Sequence, residues 1–122
     1  MSNKRIFICD DDRGITDMLK VVFELSSIDV VVENNSVLAY DSVNQLRPDL
    51  LIVDLWMPVV SGDMLVKKIK DNPDLKDIFV ICISASTNGE VVAAQAGADL
   101  FVSKPFDLDH LLAVVDRVFS AA

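Results

Sequence analysis

Acidic, hydroxyl and ammonium side chains follow separate short apolar runs in this 122-residue sequence. Three consecutive carboxylates, Asp10 to Asp12, come after one run, and Asp54 ends another. Ser84 and Lys104 follow two later runs, and Lys104 stands directly before Pro105. Carboxylates held close together repel one another, and a hard divalent cation such as Mg²⁺ relieves that repulsion. If these residues meet in the fold, they form a candidate cation site.

The same residue types suit phosphoryl chemistry. A carboxylate can attack phosphorus and form an aspartyl phosphate. The transfer needs in-line positioning and neutralisation of the charge on the phosphoryl oxygens, which a metal ion, an ammonium and a hydroxyl donor supply. Plain structural interpretations stay open: Asp54 could cap a turn, and Ser84 could bond a loop backbone group. Asp12 could be a solvated turn or a helix cap.

Five short apolar runs are predicted to form the strands that position these residues. Each run is continuous rather than alternating, which is typical of strands that are covered on both faces. The runs are Ile6 to Cys9, Ile28 to Val32, Leu50 to Val53, Ile78 to Ile83 and Leu100 to Val102.

Amphipathic segments between the runs predict helices. The clearest one-faced pattern is Ile15, Met18, Leu19, Val22 and Phe23, and the segment from Leu108 to Phe119 resembles it. Weaker patterns begin near Asn35 and near Ser61, and a short Ala-rich segment ends at Gly97. Asp107 is a candidate cap for the last helix.

Strand and helix alternate five times, which predicts an α/β fold with a (βα)5 doubly wound, five-stranded parallel sheet and helices on both faces. Such sheets bind ligands at the carboxyl ends of their strands. We expect residues 1–122 to form a single domain.

Composition excludes several classes of protein. The formal net charge of -8 argues against direct nucleic-acid binding and against an anionic membrane surface. No run approaches the roughly 18 apolar residues of a membrane span, and the N-terminal segment is unlike a signal peptide. Cys9 and Cys82 lie inside apolar runs and are interpreted as buried free thiols. We therefore expect a cytoplasmic protein.

The motifs at the strand ends, taken together, resemble the receiver domains of response regulators, the CheY-like family of two-component signalling. An Asp pair or a Lys-Pro is common by itself, but the ordered set, each at its own strand end, is specific. The matching segments are Cys9-Asp10-Asp11, Asp54-Leu55-Trp56-Met57-Pro58, Ile83-Ser84-Ala85 and Gly97 to Phe106.

The resemblance implies a flavodoxin-like strand order, 2-1-3-4-5, and a phosphorylation-activated signalling switch. It implies that Asp54 accepts a phosphoryl group from a partner histidine kinase or phosphotransfer protein. It also implies that Mg²⁺ is bound by Asp10, Asp11 and Asp54, together with the backbone carbonyl of Trp56. Lys104 would pair with the phosphoryl group. A receiver catalyses its own phosphorylation and dephosphorylation and is not a conventional enzyme.

Further roles follow from the same resemblance. Ser84 and Phe101 occupy the switch positions, and Trp56 and Ser86 occupy positions that tune phosphoryl lifetime. The bond before Pro105 is expected to be cis. The face of the fourth helix, fifth strand and fifth helix would control an output protein, or an effector domain outside this sequence. The chain is thus either a stand-alone receiver or a fragment of a longer regulator.

This sequence departs from the family pattern in three ways. Ser84 replaces the commoner threonine, Phe101 lacks a tyrosine hydroxyl, and the segment from Ser84 to Lys104 is short enough to predict a shortened fourth helix or loop.

Two other functions are weighed beside the switch. One is a protein-binding module of this fold that works without phosphorylation. The other is an aspartyl-phosphate hydrolase, which typically carries Asp-x-Asp, whereas Trp56 stands two residues after Asp54. Phe101 could also be plain core, Trp56 a partner contact, and His110 an ordinary surface residue.

Overall fold

The computed structural model describes residues 4–120 as an alternation of five strands and five helices. The elements are β1 (Arg5–Cys9), α1 (Arg13–Leu25), β2 (Asp29–Glu33), α2 (Ser36–Leu46), β3 (Leu50–Asp54), α3 (Gly62–Lys70), β4 (Phe79–Ser84), α4 (Gly89–Ala96), β5 (Leu100–Ser103) and α5 (Leu108–Ser120). The strands form one parallel sheet in the order β2-β1-β3-β4-β5. The predicted fold class and strand order are confirmed.

Strand boundaries differ from the apolar runs by one residue at several ends. The third and fourth strands include Asp54 and Ser84, so these polar side chains belong to the strands themselves. The second strand begins at Asp29, which pairs with Arg5 in the parallel register. The polar Asp29 is accommodated within this strand because its side chain is exposed at the sheet edge.

Two hydrophobic cores lie on opposite faces of the sheet. Alternate strand residues point to opposite faces, so Phe7 and Leu51 enter one core while Ile6 and Ile52 enter the other. Helices α2, α3 and α4 cover the first core, and α1 and α5 cover the second. Each fully buried large apolar side chain contributes about 1.5–3 kcal/mol. The strands are thus fixed rigidly enough to position side chains at their ends.

Both cysteines are buried free thiols, as the sequence predicted. Burial raises the pKa of Cys9 and of Cys82 to about 12, so both stay protonated at neutral pH. Within residues 4–120, no helix is long and apolar enough to cross a membrane.

Three helices begin at polar caps that the sequence offered, and one ends at a predicted glycine. The Asp12 carboxylate accepts from the N–H groups of Gly14 and Ile15, and Asn35 accepts from the N–H of Val37. Asp107 caps α5 in the same way through the N–H groups of Asp109 and His110. Gly97 ends α4 with a φ of 102°, a left-handed conformation that glycine adopts without strain.

In two helices, single positions differ from the apolar pattern, although Leu19, Phe23 and Val43 are buried as that pattern predicts. In α1, Thr16 is fully buried while Met18 is 40% exposed. In α2, Ala39 and Val43 are buried, whereas Val37 is more than half exposed. Small residues let a helix lie close to the sheet, so shape outweighed hydrophobicity at these positions. The fourth helix is the shortest, with eight residues.

Candidate functional site

Four strand ends bring the candidate site residues to one edge of the sheet. Asp10 follows β1, Asp54 ends β3, Ser84 ends β4, and Lys104 follows β5. Because β3 lies between β1 and β4, its terminal Asp54 stands at the centre of this edge. The parallel sheet thus assembles residues that are far apart in the sequence.

Three carboxylates form a compact cluster at this edge. Oxygen atoms of Asp10, Asp11 and Asp54 all lie within 4.8 Å of one another. Asp10 and Asp54 are buried, at 2% and 6% exposure, whereas Asp11 is open to solvent. Clustered carboxylate oxygens with one solvent-facing side fit a hard cation that keeps water ligands, as Mg²⁺ does. The residues present therefore fit the predicted metal.

The side-chain ammonium of Lys104 lies beside the buried carboxylates. Its Nζ lies 3.2 Å from Asp10 Oδ2 and 3.6 Å from Asp54 Oδ1. Its backbone N–H donates to the carbonyl of Ser84, and the Lys104–Pro105 bond is cis, as expected. A single ammonium thus faces two buried carboxylates, which leaves the cluster with excess negative charge.

Burial controls the acidity of the cluster. Loss of solvation raises the pKa of Asp54 to about 6, the charge of Asp10 adds to that increase, and Lys104 opposes it. Burial also raises the pKa of Asp10, although a hydrogen bond from the Asp12 N–H and the charge of Lys104 act in the opposite direction. Both carboxylates are therefore costly as anions, and a bound cation would relieve that cost.

The loop after β1 is fixed by a residue that sequence reasoning missed. The side-chain amide of Asn34 donates to the carbonyl of Asp10 at 2.8 Å and to Thr16 Oγ1 at 2.9 Å. The Thr16 hydroxyl is itself bonded to the carbonyl of Arg13. Asn34 directly follows β2, which pairs with β1. This adjacency is the sequence signal that could have indicated a contact between Asn34 and the loop after β1.

Ser84 is fully buried, and its hydroxyl bonds the loop that follows it. Ser84 Oγ accepts from the N–H of Ser86 at 3.0 Å, and the Ser86 hydroxyl contacts the side chain of Asn88. In this structure, therefore, the Ser84 hydroxyl bonds a backbone group of the loop, which is the structural alternative that the sequence left open.

Gly89 lies close to both Ser84 and Phe101. A Cβ on Gly89 would lie 2.9 Å from the Cβ of Ser84 and 3.0 Å from two ring atoms of Phe101. The ring is half-buried and packs against the core beneath α4. Nothing in the sequence indicated that Gly89 would pack against both candidate switch residues.

The first residue of α3 packs directly on the backbone of Asp54. A Cβ on Gly62 would lie 2.1 Å from the carbonyl oxygen of Asp54, and the Gly62 N–H donates to the carbonyl of Leu55 at 2.9 Å. Only glycine allows this approach. Trp56 lies in the intervening loop with its side chain 56% exposed, and its N–H points to Asp54 Oδ1 at 3.4 Å.

The chain is similar to known proteins both in sequence and in fold. The family model described as response regulator receiver domain matches residues 6–116. The DNA-binding dual master transcriptional regulator RpaA of Synechocystis is 31% identical over 97% of this chain and 53% of its own length. The Francisella response regulator 1452 receiver domain matches with a TM-score of 0.88 and 28% identity, covering 98% of each chain.

A third similar protein is the signal receiver domain of a signal transduction histidine kinase from Syntrophus aciditrophicus. Its TM-score is 0.89 and its identity 30%, covering 98% of this chain and 92% of that chain. The chain spans about half the length of the curated relatives it matches.

Proposed function

The chain belongs to the response regulator receiver family of two-component signalling, and on that premise we propose that it is a phosphorylation switch with Asp54 as its phosphoacceptor. One observation carries the proposal. The Asp54 carboxylate lies within 4.8 Å of two further carboxylates and 3.6 Å from the Lys104 ammonium. A nucleophilic oxygen beside a cation site and a fixed ammonium is the arrangement that phosphoryl transfer requires.

Asp10, Asp11 and Asp54 would hold Mg²⁺ together with the backbone carbonyl of Trp56. The ion would supply neutralisation of the phosphoryl oxygens. Asp10 and Asp54 are the buried members of this set, and Asp11 is its exposed member. Carboxylates of both kinds suit Mg²⁺, which retains several waters when bound by a protein.

The phosphoryl group would come from a phosphohistidine on a histidine kinase or phosphotransfer protein. An Asp54 carboxylate oxygen attacks phosphorus, the phosphorus–nitrogen bond breaks, and the imidazole of the donor takes up a proton. The pKa of Asp54, raised to about 6, leaves the carboxylate mostly ionised at neutral pH and more basic than an ordinary aspartate. Lys104, already 3.6 Å from Asp54 Oδ1, pairs with the transferred group.

Phosphorylation would then redirect Ser84. Its hydroxyl accepts from the Ser86 N–H in this structure, and it would turn to donate to a phosphoryl oxygen instead. The movement is passed to Phe101 through the close packing at Gly89. Such a local change biases a two-state equilibrium of the face formed by α4, β5 and α5, which controls an output protein or an effector domain.

Two residues beside the acceptor are proposed to set the lifetime of the acyl phosphate. Trp56 stands in the loop after Asp54 with a large, half-exposed side chain, and Ser86 lies in the loop that bonds Ser84. Hydrolysis by water resets the switch, and the bulk of Trp56 would slow that reset. A cytoplasmic location is part of the proposal, and the two free buried thiols agree with a reducing compartment.

Intact-mass measurement after incubation with acetyl phosphate and Mg²⁺ tests the acceptor. The wild-type chain should gain the mass of one phosphoryl group, and hydroxylamine should remove it. Asp54→Asn should gain nothing, while the exposed control Asp41→Asn should behave as wild type. Modification that persists in Asp54→Asn would remove Asp54 from its role, and no modification of the wild type would favour a phosphorylation-independent binding module.

A further inference from the structure

The loop between β3 and α3 contains a strained turn. Val59 has a φ of 70°, and the N–H of Val60 donates to the carbonyl of Pro58 at 2.9 Å. This i to i+2 bond defines a γ-turn, and one with positive φ at its centre is rare and strained. A β-branched residue is especially unfavourable there. The loop therefore needs support from outside to keep this shape.

A serine from another element supplies that support. Ser36, the first residue of α2, is 5% exposed. Its hydroxyl donates to the carbonyl of Pro58 at 2.6 Å and accepts from the N–H of Val60 at 3.2 Å. The one hydroxyl thus engages both backbone groups that flank Val59. It stabilises the turn from both sides.

The supported turn lies next to the candidate metal site. Trp56, whose backbone carbonyl completes the proposed Mg²⁺ ligands, stands just before it, and Gly62, which packs on Asp54, stands just after it. Relaxation of Val59 toward the extended region would change the path of the chain between these two residues. Leu55 and Gly62 are tied together by a backbone hydrogen bond, so that change must be absorbed within residues 56–61, and the Trp56 carbonyl lies in this stretch.

We propose that the Ser36 hydroxyl is a positioning group that holds the Val59 turn and thereby sets the Trp56 carbonyl for the cation. The proposal rests on the proposed function. Ser36 touches no ligand itself and acts through the loop. If Ser36 only strengthens the fold, its loss lowers stability and leaves the affinity for Mg²⁺ unchanged.

Titration of Trp56 fluorescence with Mg²⁺ measures the relevant affinity, because Trp56 is the one tryptophan in the sequence. Ser36→Ala should weaken Mg²⁺ binding about fivefold, a modest effect because the Pro58 carbonyl and the Val60 N–H still bond each other when both bonds to Ser36 are lost. Val59→Gly alone should keep the wild-type affinity. The double variant should return to within about twofold of wild type, because glycine adopts positive φ without strain. Ser42→Ala, on the same helix, is the control and should change nothing.

Recovery of Mg²⁺ affinity in the double variant would show that Ser36 acts by positioning the loop. Glycine at position 59 restores no lost hydrogen bond and only lets the turn keep its positive φ. Amide exchange of Val60, followed by NMR in metal-free protein, should quicken in Ser36→Ala. If Ser36→Ala does not fold, Ser36→Cys replaces it, because a thiol is close in shape but a weak hydrogen-bond donor. Wild-type affinity in Ser36→Ala, or no rescue in the double variant, overturns the inference and leaves the phosphoacceptor proposal intact. A wild-type chain with no Mg²⁺ affinity defeats both.

Discussion

Asp54→Asn should stabilise the metal-free protein at neutral pH. The Asp54 side chain is buried, at 6% exposure, and lies beside the charged Asp10. Burial and that neighbouring charge raise its pKa from 3.8 to about 6. Asparagine has nearly the same shape without the charge. The substitution therefore removes an unfavourable ionisation and leaves the packing in place.

The sign and size follow from proton linkage. Between the unfolded pKa of 3.8 and the folded pKa of about 6, the folded state binds more protons than the unfolded state. Stability of the wild type therefore falls as pH rises through this window, by about 1.4 kcal/mol per unit at most. Above pH ~7 the accumulated loss is about 2–3 kcal/mol. Below pH ~3, Asp54 is protonated in both states and the loss disappears.

Urea unfolding in a chelator, at a series of pH values, tests this reasoning. The stability gap between Asp54→Asn and wild type should open between pH ~4 and ~7 and then stay level. Added Mg²⁺ should close it, because the ion binds the folded wild type and stabilises it by mass action. Asp41→Asn, exposed on α2, should show no such gap. A gap that is the same at every pH, or a wild type more stable than Asp54→Asn at pH ~7.5, would refute the argument.

Three other substitutions test the remaining parts of the site. Lys104→Met should slow phosphoryl uptake from acetyl phosphate by about tenfold or more, because no ammonium is left to neutralise the transferred group; an unchanged uptake rate would count against its role. Trp56→Asn should speed dephosphorylation measured in chelator, and an equal rate would end the lifetime proposal. Gly62→Ala should cost about 2 kcal/mol or more in urea unfolding, because its Cβ would lie 2.1 Å from the Asp54 carbonyl oxygen. Ser61→Ala, at the neighbouring position with no side-chain cap bond, should cost little, and equal costs would contradict the steric reason.

Local patterns predicted most of the fold. Continuous apolar runs marked all five strands, and short polar side chains such as Asp12 and Asn35 marked helix starts, because both signals depend on neighbouring residues. The cluster of Asp10 and Asp54 was also predictable, since the carboxyl ends of adjacent parallel strands share one edge. The exposure of Met18 was not predictable, because the rotation of a helix about its own axis depends on the shape of the sheet beneath it.

Contacts between loops left no trace in the sequence. Ser36 carried no signal beyond its place near the start of the second predicted helix, yet its hydroxyl donates to the carbonyl of Pro58 across the fold. Gly62 and Gly89 stood out in no sequence pattern, and their close approaches to Asp54 and Phe101 depend on how two elements pack. A single hydroxyl or a missing Cβ has no periodicity, so such positions need a structure to find them.

The most direct measurement identifies the phosphorylated residue itself. The protein is incubated with acetyl phosphate and Mg²⁺, reduced with borohydride, which converts an aspartyl phosphate to homoserine, and then mapped by peptide mass spectrometry. We predict conversion at Asp54 alone, and none when Mg²⁺ is replaced by chelator. Conversion at Asp10 or Asp11 with Asp54 unchanged would contradict the assignment of the phosphoacceptor.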